Sequence, residues 1–308
     1  VTTRGHARPI LALVLAVSLC LPSLTRAGEA QLRWHLAPGT DLQIQLAQTS
    51  KTETAIGDRV TAVAIDTGLD MQWHVEHVDA QGTLQLTQVF TRLWLRSVSP
   101  DGKTVAYDSA QAPDSTAETR AIADAVRALL KLKISLSLSN RGEILDVCRP
   151  PETDRLLGDL PALAGWKSLL TREGMRRTLH QALGTLPEGP VDVGGTWTIV
   201  RQMELPRGPI EATDTYTYEG PGTDSQRPLE RIRVATQLKL PNAAAPSRPP
   251  ERVERQQLEG LYLFDSAAGF LAESHMTQTL VSEVPYADGT IRVTTSNSLI
   301  TKLTRALS

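Results

Sequence analysis

Along much of this chain, apolar and polar residues trade places at every step. Leu42, Ile44 and Leu46 alternate with Gln43 and Gln45, and Leu132, Ile134, Leu136 and Leu138 alternate with Lys133, Ser135, Ser137 and Ser139. Ile232, Val234, Leu238 and Leu240 share one parity, with Arg231, Arg233 and Lys239 on the other. Successive strand side chains point to opposite faces, so each run predicts a strand with one oily and one wet side. Half-exposed strands of this kind belong to antiparallel sheets. Asp79-Ala80-Gln81-Gly82, Pro100-Asp101-Gly102-Lys103 and Ala287-Asp288-Gly289 supply turns between them. From Thr83 to Val98 the pattern changes: Leu84 and Leu86 share one parity, and Val89, Leu93 and Leu95 the other. A bulge near Thr87 or partial burial of both faces would account for this, and Phe90 and Trp94 on the first parity favour the second.

Helices are a minority. Ser115-Thr116-Ala117-Glu118 has the spacing of a capping box. Behind it Ile122, Val126, Leu129 and Leu130 form an apolar stripe at helical spacing. A second helical region covers about 152 to 184, with breaks at Pro161 and Gly174. Met175, Leu179 and Ala182 mark its buried side, and Gly184 and Pro187 end it. The expected fold is therefore mainly β with a few helices: a large curled antiparallel sheet or half-barrel, with the helices on its concave face. Residues 31–308 are expected to form one β-rich domain. Two similar halves, 31–150 and 190–308, would be joined by the helical segment 151–189. Pro38-Gly39-Thr40 and Gly194-Gly195-Thr196 each introduce a strand, and Leu136–Ile144 can be laid beside Leu261–Phe270, the pattern of a duplicated meander. Pro241 to Pro250, rich in proline, is expected to be a loop rather than a boundary.

Residues 1–30 have the layout of a secretory signal. Arg4 and Arg8 precede a short apolar run from Ile10 to Leu21, and small residues follow, with cleavage expected after Ala27 or Ala30. Twelve apolar residues are too few for a membrane helix, which needs about 20, and no later run is long enough. Cys20 follows Leu19 rather than a small residue, which disfavours lipid attachment there. Without residues 1–27 the chain loses three arginines, leaving 34 acidic against 29 basic side chains, a net charge of −5. That balance argues against a nucleic-acid partner, whose phosphates demand a basic face. Only Cys148 would remain, so no intrachain disulfide is expected.

Candidate chemistry is sparse. His74 and His77 lie in the strand-like Met71–Val78. Residues three apart on a strand face opposite sides, so the two rings could share a metal only across a bulge. No G-x-S-x-G, S-x-x-K or H-E-x-x-H motif occurs. Cys148 has no histidine near it in sequence and is expected to be half-buried and inert. Asp108 and Asp214 could pair with His180 or His275, but nothing singles out a set. Gly194-Gly195 leads into a strand, so it is not a phosphate loop, which would open a helix. Neither a catalytic residue, a cofactor nor a metal site is therefore assigned. Trp34, Trp73, Trp94 and Trp197 all fall in expected strands.

The stretch Leu186-Pro187-Glu188-Gly189-Pro190-Val191-Asp192-Val193-Gly194-Gly195-Thr196-Trp197 resembles a family of exported proteins from planctomycete-type bacteria, a family without an assigned function. Leu32-Arg33-Trp34 with Pro38-Gly39, Met71-Gln72-Trp73 with Val75, Tyr107-Asp108-Ser109 and Tyr216-Thr217-Tyr218-Glu219-Gly220 extend the resemblance over most of the chain. It implies export and a shared fold and carries over no catalytic residue. More loosely, the expected architecture is similar to that of periplasmic lipoprotein carriers, which hold acyl chains between a concave sheet and helices. The functional expectation is a non-catalytic envelope protein, periplasmic or extracellular, that binds an apolar ligand or a lipoprotein. Trp73 and Trp197 are its candidate cavity-lining residues, with Ile122 and Val126 on the helix above. A module that docks another envelope protein is the alternative, and a hydrolase a more distant one.

Overall fold

The computed structural model describes residues 29–112, 116–151, 153, 170–205, 208–223, 228–239, 252–286 and 289–306. Twelve strands among these residues form one antiparallel sheet. The first half contributes β1 (Asp41–Ile56), β2 (Arg59–Val78), β3 (Leu84–Val98), β4 (Thr104–Asp108), β5 (Lys133–Leu138) and β6 (Ile144–Cys148). The second contributes β7 (Thr196–Leu205), β8 (Gly208–Pro221), β9 (Glu230–Lys239), β10 (Arg252–Asp265), β11 (Phe270–Tyr286) and β12 (Gly289–Arg305). The spatial order is β6-β5-β3-β2-β1-β12-β11-β10-β9-β8-β7, with β4 paired to β3 alone. Two meanders thus meet where β1 runs antiparallel to β12. Residues 1–28 of the expected signal segment, Ser115, residues 154–169, Leu240, the loop from Pro241 to Pro250 and most of the turn at Ala287 lie outside the described residues.

Strict alternation sets which side faces inward. Leu42, Ile44 and Leu46 are buried and sit opposite Trp73, Met71 and Leu69 on β2. Ile134, Leu136 and Leu138 are buried on β5, while Lys133 and Ser135 are exposed. In β3 the parity does switch, but at Thr91 rather than near Thr87. Asp70 pairs with Arg92 and Met71 with Phe90, so Thr91 is the extra residue. Leu84, Leu86, Gln88 and Phe90 face inward before this bulge and Leu93 after it. Trp94 lies on the other side, its ring packed where a Gly68 side chain would be.

The sheet is bent hard at one end. Trp34 donates its backbone N–H to the Asn140 carbonyl in the β5–β6 turn, and His35 donates to Gly269 in the β10–β11 turn. In sheet order β5 and β11 are five spacings apart, roughly 24 Å if the sheet were flat. Adjacent residues, whose Cα atoms are about 3.8 Å apart, nevertheless reach both turns. The sheet must therefore curl until its wings nearly meet at that end, although the edge strands β6 and β7 do not pair with each other and the barrel is open. Residues 30–36 form the strap that joins the wings, with Leu32, Trp34 and Leu36 buried beneath it. Trp34 is accordingly not in a strand, contrary to the alternation around it. At Gly269 (φ +76°) any Cβ would lie 2.3 Å from the His35 carbonyl oxygen, so the crossing requires glycine.

Two helices complete the described architecture: α1 (Ala117–Leu129) and α2 (Arg172–Leu183). The cap of α1 is Thr116, whose Oγ1 accepts from the Thr119 N–H, one residue beyond the expected serine. Its buried stripe includes Ile122, Val126 and Leu129, and it packs against β4. Gly174 does not break α2. It lies in the first turn, where its N–H is taken by the N-cap Thr171 Oγ1 at 3.0 Å.

Candidate ligand-binding site

Helix α2 lies in the trough of the sheet. It contacts β6 from one wing and β11 and β12 from the other half. Its last carbonyls, which no helical partner can satisfy, accept from the sheet instead. Tyr262 Oη donates to Gln181 O at 2.9 Å and Ser274 Oγ to Ala182 O at 2.7 Å. Just beyond the helix, Trp197 Nε1 donates to Thr185 O at 2.8 Å. Three strands therefore hold this end, and Gly184 (φ +66°) lets the backbone pass against the Tyr262 ring. The helix is a fixed wall, and the space on either side of it differs in character.

On one flank, Met175, Thr178 and Leu179 face Leu46, Leu69, Met71 and Phe90 across an apolar cleft of about 50 Å³. On the other flank a cavity of about 200 Å³ opens between α2 and strands β7 to β11. Both exceed the roughly 10–15 Å³ that admits one water. Val234, Leu238, Leu258 and Met276 form the apolar wall of the larger cavity. Gly260 opposes Met276, and a Cβ there would come within 2.1 Å of the sulfur and 2.7 Å of the His275 carbonyl. The missing side chain leaves room for that wall.

The polar wall is built around Asp214, an acid on the inward parity of β8 between Ala212 and Tyr216. Arg201 grips it with two bonds, Nε to Oδ2 at 2.7 Å and Nη2 to Oδ1 at 3.1 Å. His180 Nε2 donates at 3.2 Å and Thr236 Oγ1 at 2.7 Å. Burial alone would raise the Asp214 pKa, but the hydrogen bonds from His180 and Arg201 and the guanidinium charge hold it well below the usual carboxylate range. Tyr216 stacks on Trp197 with ring centroids 5.3 Å apart. Burial pushes the Tyr216 and Tyr262 phenols up, so both stay neutral donors. Arg177, half-buried on α2, also lines this cavity and forms no ion pair with any described residue.

The residues expected to line a cavity border neither of these two spaces. Trp73 is buried and donates to Gln88 Oε1 at 2.8 Å. Ile122 and Val126 belong to the packed core and Trp197 packs against it, and none of the four lines either cavity. Of the open pairings, His180 meets Asp214, whereas Arg92 occupies Asp108 and Glu273 occupies His275. No Ser, Thr or Cys among the described residues hydrogen-bonds His180. A bulge does lie at Glu76 between His74 and His77, but His74 pairs with Asp41 at 2.8 Å. The described residues hold no group of three His, Cys, Asp or Glu able to bind a metal. Cys148 is exposed rather than half-buried. Arg177, Arg201 and Thr236 were not foreseen. An acid at 214 and a threonine at 236, each on an otherwise apolar parity, were the available signal.

An open, curled antiparallel sheet with a helix laid in its trough is the class that this geometry defines. Among solved structures the chain is similar to lipovitellin, a structure described for its lipid–protein interactions, at 13% identity and a TM-score of 0.46, over 88% of this chain and 26% of that one. The chain thus spans about a quarter of the length of that protein. It is also similar to a Bacteroides fragilis protein with a YMCC-like fold (10% identity, TM-score 0.28, 86% and 98% covered). A Pseudomonas putida outer membrane channel matches at 8% identity and a TM-score of 0.26, with 88% and 97% covered. At these values the likenesses extend to no functional residue. No family model and no curated protein matches the sequence, so the resemblance to a planctomycete-type family gains no support. No helix among the described residues is long and apolar enough to cross a membrane.

Proposed function

We propose that the protein is a non-catalytic, exported carrier that holds an apolar or amphiphilic ligand in the trough of its sheet. The observation that carries this reading is the cavity of about 200 Å³ beside α2, with Val234, Leu238, Leu258 and Met276 along one side. Well-packed interiors keep few voids larger than water, and this one lies against a helix whose C-terminal end three strands hold in place. Its size is below the roughly 300–1,000 Å³ of pockets for drug-sized molecules, which suits a slender ligand entered by one end. Export follows from the basic, apolar and small-residue segments at the start of the sequence.

The test is native mass spectrometry of protein purified from its own host, followed by thermal shift with fatty acids and lipopeptides. A co-purified apolar species, or stabilisation by one of these compounds, is the expected result. A ligand-free protein whose melting is indifferent to all of them would defeat the proposal.

A further inference from the structure

The larger cavity has an imbalance that folding does not explain. Asp214, its only acid, already accepts four hydrogen bonds from Arg201, His180 and Thr236, which fills the roughly four lone-pair sites of a carboxylate. Gln278 Oε1 accepts from Asn297 Nδ2 at 3.2 Å, leaving the Gln278 amide N–H groups. Tyr262 Oη is committed to Gln181 O. Gln181 adds an amide that can both donate and accept, and the charged group that forms no ion pair with any described residue is the guanidinium of Arg177. Of the side chains charged throughout the neutral range, the lining carries two arginines against one aspartate, an excess of one positive charge.

We infer that this cavity receives the carboxylate of a single-chain amphiphile, with Arg177 as the binding cation and the chain lying on Val234, Leu238 and Leu258. The inference rests on the carrier reading above and adds the ligand's head. Two features favour a carboxylate. The guanidinium fork matches its two oxygens, and one excess positive charge balances a single negative one. The apolar wall begins on the adjoining strands, since Thr236, which touches Asp214, lies between Val234 and Leu238 on β9. Head and chain would therefore be read by one pair of strands and one helix face.

Isothermal titration calorimetry at pH 8 with decanoate, decanol and decyltrimethylammonium, all below their micellar concentrations, tests the assignment. Decanoate should bind at least about tenfold more tightly than decanol, a gap of about 1.4 kcal/mol, and the ammonium compound more weakly than either. Arg177→Gln should bring decanoate and decanol within about threefold of each other, and Arg177→Lys should keep part of the gap. Arg176→Gln, on the exposed side of the same helix, should leave it intact. Equal affinity of acid and alcohol for the unaltered protein, or a gap that survives Arg177→Gln, would overturn the head-group assignment while leaving the carrier reading in place. Failure of all three compounds to bind would overturn both. Circular dichroism of each variant verifies that the fold is kept.

Discussion

Asp214→Ala is the most informative single change in the trough. It removes the acceptor of all four hydrogen bonds and leaves the Arg201 guanidinium without its counter-ion. Breaking a buried ion pair from one side costs about 3–5 kcal/mol. The Asp214 side chain is 3% exposed but that of Arg201 is 23% exposed, so water entering the cavity can solvate the stranded cation in part. The loss should therefore fall near the lower bound, about 3 kcal/mol. For a chain of this size that corresponds to a melting temperature lower by roughly 6–12 °C. Urea unfolding followed by tryptophan fluorescence is a suitable assay, because Trp197 stacks on Tyr216, two residues from the substituted position. The companion variant Asp214→Leu/Arg201→Met removes both charges and should recover at least half of the loss, as apolar replacements of a whole buried pair commonly do. A cost for Asp214→Ala below about 0.5 kcal/mol would refute the reasoning. So would a double variant whose loss equals the sum of the singles, since coupled partners are not additive.

Two further outcomes follow from the same physics. The Asp214 pKa is lower in the folded chain than the unfolded value of about 3.9, so its contribution is complete above about pH 4 and is lost as the pH falls through the folded pKa. Urea midpoints measured between pH 7 and pH 2.5 should drop less steeply below pH 4 in Asp214→Asn than in the unaltered protein, and parallel curves would contradict this. On β5, Leu136→Ala should cost about 2–5 kcal/mol and the neighbouring Ser135→Ala less than about 0.5 kcal/mol. Comparable losses in equilibrium unfolding at the two positions would mean that strand parity does not set the inner face.

Alternation made most of the sheet legible, because a strand with one wet face writes its orientation into every second residue. β5 is the clearest case, with Ile134, Leu136 and Leu138 buried, as is Leu132 just before it. The pattern could signal that β3 breaks step but could not place the bulge, since Thr91 differs from its neighbours only in what it fails to pair with on β2. Trp34 looked like a strand residue because strap and strand share an extended backbone. Its partner is a turn carbonyl contributed by residue 140, a fact set by the curl of the whole sheet. The Gly57-Asp58 turn between β1 and β2, a two-residue hairpin with Gly57 at φ +55°, was there to be found by its composition. The polar cavity was less accessible. Its groups come from α2, β7, β8 and β9, and only the long-range packing of α2 against the second half brings His180 to Asp214.

The inward polar residues also separate folding requirements from what is left over. Gln88 anchors the Trp73 indole, Ser274 takes a free carbonyl of α2, and Asp214 neutralises Arg201. In each case a buried polar group would be costly alone and is kept because it fastens one element to another. Arg177 fits no such account. Arg177 shares the cavity lining with Val234, Leu258 and Met276, and its charge meets no carboxylate among the described residues; its stem can cover apolar surface while its charged head faces the open space. On the proposal above, this cation meets the acidic end of a slender ligand whose apolar chain lies along the same cavity.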